Sequence, residues 1–136
     1  VKAKITLTDI SDSAGVALCI GEVDKITGLP NPGAVFYYDG DEEKLVIQYW
    51  KDTSFDEQKI SDQVTPEMPF TLNLKYNNGQ LIGDYHDANQ VEQLTLSGVP
   101  SGIKGKPGLG VYLSLDAKRL NKASVCTFDD VIIESN

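Results

Sequence analysis

Apolar and polar residues alternate with a period of two through most of this chain, and the segment FTLNLKY shows it most clearly. Phe70, Leu72, Leu74 and Tyr76 fall on one side and Thr71, Asn73 and Lys75 on the other, the pattern of a half-buried antiparallel strand. Asn77, Asn78 and Gly79 then supply residues that tolerate positive φ, and QLIGDYH follows. Residues 70 to 86 are therefore predicted to form a β-hairpin with a tight turn.

Short alternating runs recur at AKITLTDI, GVALCIGE, AVFYYDG, KLVIQYWKD, QVEQLTLSG, GLGVYLSLD and SVCTFDDVIIES, separated by clusters of Gly, Pro, Asn and Asp. With the hairpin they make nine predicted strands, whereas helix-period patterns are scarce. The expected fold is all-β, a two-sheet antiparallel β-sandwich. DTSFDEQKISDQVTPEMP and DAKRLNKA read as irregular connections, each able to hold one short helical turn. No repeat, low-complexity tract or linker divides the chain, so residues 1 to 136 are taken as a single domain.

A chain of 136 residues is long enough to bury a core without a staple. Twenty acidic against twelve basic residues leave a net charge of −8, which repels nucleic acid and anionic lipid at long range. The same balance suits divalent cations and neutral sugars, the latter held by stacking and hydrogen bonds. No run reaches the ~20 consecutive apolar residues of a membrane helix, so no membrane insertion is expected. With no basic-then-apolar leader ahead of the first strand, the chain reads as a mature or excised domain.

Cys19 and Cys126, the two cysteines, lie in strand-like surroundings and read as small buried side chains or as one disulfide between strands. With a single histidine, a structural zinc site lacks its ligands. Tyr37, Tyr38, Tyr49 and Trp50 sit on two consecutive predicted strands, and Gln48, Asp84, His86 and Tyr112 offer polar groups nearby. Flat rings with hydrogen-bonding neighbours match the faces and hydroxyls of a sugar, although alternation turns half of such rings into the core.

Asp129 and Asp130, between Phe128 and Val131, pose a separate problem. Strict alternation places Phe128, Asp130 and Ile132 on one face and would bury a carboxylate, at a cost of several kcal/mol. A bulge or a bound cation resolves the conflict, and an acid facing water removes it. The acidic stretch DGDEE at 39 to 43 lacks the spacing of an EF-hand and reads as a solvated turn.

The order AGVALCIGE, GAVFYYDG, KLVIQYWKD, PFTLNLKYNNGQLIGDYHD, GIKGKPGLGVYLSLD and ASVCTFDDVIIES resembles the concanavalin A-like jelly-roll superfamily, in its laminin-G-like and polysaccharide-associated branches. The likeness covers nearly the whole chain. It departs from the family's pattern where an earlier segment would precede VKAKITLTDI, so a strand of the family is expected to be missing there. The resemblance implies a concanavalin A-like jelly roll, an extracellular or cell-surface location, and one structural Ca2+ held by Asp129 or Asp130 with backbone carbonyls near the first strand.

These readings converge on a noncatalytic carbohydrate-recognition module that binds a poly- or oligosaccharide through Tyr38, Gln48, Trp50, Asp84, His86 and Tyr112. An adhesion or structural module of a larger surface, virion or filament assembly, with a protein partner at an exposed sheet edge, is the alternative. A hydrolase fragment is disfavoured because the compact acid-rich strand of the family's hydrolases is missing. A lyase fragment using Tyr85, His86 and Arg119 is a weaker reading.

Overall fold

The computed structural model of the chain describes residues 2–10, 14–23, 30–51, 54–99, 108–115 and 126–134. They form ten strands: β1 (Lys2–Ile10), β2 (Ala14–Val23), β3 (Pro30–Asp39), β4 (Lys44–Lys51), β5 (Ser54–Gln63), β6 (Phe70–Asn77), β7 (Gln80–His86), β8 (Val91–Ser97), β9 (Gly108–Leu115) and β10 (Cys126–Glu134). One sheet has the order β10-β1-β6-β7-β8 and the other β5-β4-β3-β2-β9. Every pairing within them is antiparallel. No helix occurs among the described residues.

The core lies between the sheets, where β2, β3, β4, β6, β7 and β8 turn alternate apolar residues inward. Phe70, Leu72, Leu74, Leu81, Tyr85, Leu94 and Leu96 enter it from the first sheet, and Val16, Leu18, Ile20, Phe36, Tyr38, Leu45, Ile47 and Tyr49 from the second. Phe70 is central, with its ring centroid 5.9 Å from that of Tyr38 and 5.3 Å from that of Tyr85. A smaller apolar group of Ala17, Cys19 and Val35 lies apart from the main core, with Tyr37 and Trp50 packed against it.

The β6–β7 hairpin has the tight form its sequence demands. Asn77 pairs with Gln80, and the two residues between them, Asn78 and Gly79, both have positive φ, 46° and 80°. Such a turn matches the twist of the flanking strands, and Asn-Gly is its preferred occupant. The DGDEE stretch likewise forms the β3–β4 turn, where the Asp39 carboxylate accepts the backbone N–H groups of Asp41 and Glu42 at 3.0 and 3.2 Å.

Strand β5 corrects the sequence reading, which left residues 54 to 63 within an irregular connection. SFDEQKISDQ carries too few apolar residues to show a period of two, yet it pairs along β4 from Ser54 to Gln63. It is the outermost strand of its sheet, and an edge strand takes charged residues because one side of its backbone meets water. The other stretch read as irregular, DAKRLNKA, lies outside the described residues, and Arg119 with it.

Candidate functional site

The outward face of the β6–β7–β8 ladder is polar because it alternates with the core. Pairing sets Thr71 opposite His86, Asn73 opposite Asp84, and Asp84 opposite Gln93. The Asp84 carboxylate is the hub. Its Oδ2 accepts from Lys75 Nζ at 2.7 Å and Asn73 Nδ2 at 3.0 Å, and its Oδ1 accepts from Gln93 Nε2 at 2.6 Å. Partial burial alone would push its pKa up, but the hydrogen bonds from Lys75 and Gln93, the charge of Lys75 and the bond from Asn73 hold it below the usual carboxylate range.

Beside the hub lies a depression of about 260 Å3 lined by Thr71, Asn73, Asp84 and His86. It is smaller than the roughly 300–1,000 Å3 of pockets that enclose drug-sized ligands, so its size suits one small ring. A carboxylate offers about four lone-pair positions, and three donors already meet that of Asp84. One acceptor position of the carboxylate is left over. Thr71 is itself oriented from the next strand, its Oγ1 lying 3.1 Å from that of Thr6. The side-chain carbonyl of Asn73 is buried without a hydrogen-bond partner. A chain keeps such an unmet acceptor at an energetic cost, which singles out this position on the sheet.

Under the end of β7, Asp87 is buried at 3 % exposure and collects donors from three directions. Its carboxylate accepts the Tyr85 hydroxyl, the backbone N–H of Glu67 at 3.0 Å, and those of Asn89 and Gln90 at 2.8 Å each. Burial alone would raise its pKa, but these bonds hold the carboxyl far below the usual range. Burial, with the Asp87 bond and charge, pushes the Tyr85 hydroxyl well above its ordinary value. The knot ties the segment before β6 to the β7–β8 turn and so steadies the strand end that carries His86.

The six ligand residues expected from the sequence do not form one surface. Asp84 and His86 lie on the outward face of the first sheet, with His86 exposed. Tyr38 is 5 % exposed in the core between the sheets, so its ring is turned away from any outward platform. Gln48 and Trp50 lie on the outward face of the second sheet, on the opposite side of the sandwich. There the Trp50 indole N–H donates to Gln48 Oε1 at 3.1 Å, and the Gln48 amide reaches Tyr37 Oη at 3.5 Å. Position 112 pairs with Ala17, but the Tyr112 side chain lies outside the described residues.

Thr71, Asn73, Lys75 and Gln93 were missed, although a signal for most of them was present. A two-residue Asn78-Gly79 loop fixes the β6–β7 register, and counting back from it places Asn73 opposite Asp84 and Thr71 opposite His86. Tyr85 and His86, grouped in the lyase reading, point to opposite faces of β7: Tyr85 is buried and His86 exposed. They cannot act together on one substrate.

The acidic pair in β10 meets a bulge. Thr6 pairs with Asp129 and Lys4 with Ile132, leaving one extra residue on β10, and Asp130 adopts φ 52° with its side chain exposed. Alternation breaks there, so no carboxylate of Asp130 is buried among apolar neighbours. The side chains of Asp129 and Cys126 lie outside the described residues. Cys19 is buried. Among the described residues no group of three or more His, Cys, Asp or Glu side chains converges as a metal site.

Compared with known proteins, the chain matches no family model and no curated protein.

Proposed function

We propose that this β-sandwich is a noncatalytic, extracellular carbohydrate-recognition module of concanavalin A-like jelly-roll architecture. In this reading one sugar unit of a poly- or oligosaccharide sits in the depression formed by Thr71, Asn73, Asp84 and His86. The observation that carries it is the Asp84 hub: an ionised acceptor on a solvent-facing sheet, held by Lys75, Asn73 and Gln93, beside a space the size of a small ring. Rigid strands hold these groups in place before a ligand arrives, which reduces the ordering cost of binding. Fixed acceptors also reject analogues that lack the matching hydroxyl.

Calorimetry against neutral oligosaccharides, chosen from a glycan array, tests the reading. Binding lost in an Asp84→Ala variant that keeps its Tm supports it. An array without a hit, or a hit that Asp84→Ala leaves unchanged, sinks it. A structural Ca2+ at Asp129 and Asp130 is a separate proposal, resting on two adjacent acids where the first and last strands pair. A Tm that rises with millimolar calcium, and does so no longer in Asp129→Asn, tests it.

A second reading, an adhesion or structural module of a larger assembly, is favoured by one observation: the apolar side chains of Val131, Ile132 and Ile133 are exposed on the outermost strand of the first sheet.

A further inference from the structure

Val131, Ile132 and Ile133 are 50 %, 43 % and 59 % exposed. They follow one another along β10, an edge strand of its sheet whose described pairing is with β1. The other large exposed apolar residues among those described, Ile60 and Val91, stand singly, as scattered surface residues commonly do. Three in succession on an edge are different. Edge strands are ordinarily blunted by charge, proline or a bulge, and β10 has its bulge at Asp130. The four residues beyond it, 131 to 134, run on as strand with all side chains exposed.

We propose that this stretch of β10 is a docking edge for an extended segment of another protein, added as a further strand of the sheet. Its partner has apolar residues at its centre and lysines or arginines around them. Two observations specify that chemistry. Asp130 and Glu134 bracket the apolar triplet, in a chain of net charge −8. The strand already paired with β10 contains one such match: Lys2 of β1 pairs with Glu134, while Ala3 pairs with Ile133 and Lys4 with Ile132.

A second copy of this chain is the poorer occupant. Antiparallel self-pairing centred on Ile132 would set Asp130 of each copy opposite Glu134 of the other, and like charges placed directly opposite destabilise a sheet. A basic-flanked strand removes that repulsion, while main-chain hydrogen bonds give the affinity and alternate side chains the selectivity.

The test uses the full chain and a synthetic peptide of sequence KAKITLT, with a control peptide in which both lysines are glutamate. The lysine peptide binds saturably, more weakly as salt rises, and slows amide exchange at residues 131 to 134. The glutamate peptide binds on the order of tenfold more weakly or less, as expected when like charges meet across an interface. Ile132→Lys abolishes binding, with Ile132→Thr as the substitute if the lysine variant does not fold, and Asp84→Ala leaves it intact. No binding of the lysine peptide, equal binding of both peptides, or unchanged binding by the Ile132 variants overturns the proposal. So does loss of exchange protection in β1, which signals strand exchange, or a dimer in ultracentrifugation that Ile132→Lys dissolves.

Discussion

Gly83 of β7 lies directly against the ring of Phe36 of β3, so that a Cβ built at position 83 would meet ring carbons at 2.5 to 2.8 Å. The contact is between the sheets: Gly83 faces inward between Leu81 and Tyr85, and Phe36 fills the space a side chain would take. Its backbone is ordinary for a strand, so only the missing side chain makes glycine necessary here.

Gly83→Ala must therefore push the ring of Phe36 or separate the sheets. Overpacking of this kind costs about 1–3 kcal/mol, read as a lower urea midpoint with unchanged slope. Adding Phe36→Leu to Gly83→Ala should restore part of the loss, because the shorter side chain vacates the position. A double variant no better than the sum of its parts would show that the contact is not the cause.

Asp87 should govern stability in acid. Its folded-state pKa is depressed, so its contribution is present above the unfolded value of about 3.9 and is lost as pH falls below it. Wild type should lose Tm steeply below about pH 4, and Asp87→Asn should lack most of that slope. At pH 7 Asp87→Ala leaves buried donors unmet and should destabilise by about 3 kcal/mol.

Tyr85 produces the opposite limb. Its pKa is raised by burial and by Asp87, so its contribution is complete below the unfolded value of about 10 and fades as pH rises above it. Tyr85→Phe should flatten the alkaline fall in Tm measured from about pH 9 upward.

Binding at the Asp84 hub should be insensitive to mild acid. Because Asp84 is held below the usual carboxylate range, it stays ionised down to about pH 4, and the affinity for a neutral oligosaccharide should be flat from about pH 8 to pH 5. The Lys75–Asp84 pair is partly exposed, so Lys75→Met should change stability by less than about 1 kcal/mol while weakening the ligand several-fold. An affinity that changes within that pH range would overturn the role given to Asp84.

The bulge gives a backbone prediction. Asp130 holds φ 52°, a region where glycine is unstrained and a β-branched residue is not. Asp130→Gly should be neutral or slightly stabilising, and Asp130→Val should cost about 1–2 kcal/mol, both read from thermal unfolding.

Features that neighbouring residues settle among themselves are legible along the chain. Period-two alternation marked β6, and Asn78-Gly79 fixed its turn into β7, because those residues tolerate the positive φ that a two-residue hairpin turn requires. From that turn the register, and with it the Asn73–Asp84 pair, follows by counting. Tertiary structure decided whatever depends on a partner distant in the chain. SFDEQKISDQ is a strand because β4 offers it an edge, and no local pattern announces that. Tyr38 and Trp50 face opposite ways because the parity of each strand is set by the sheet that covers it. Asp130 faces water because β10 gains one residue on β1, and that mismatch exists only when the first and last strands of the chain lie side by side.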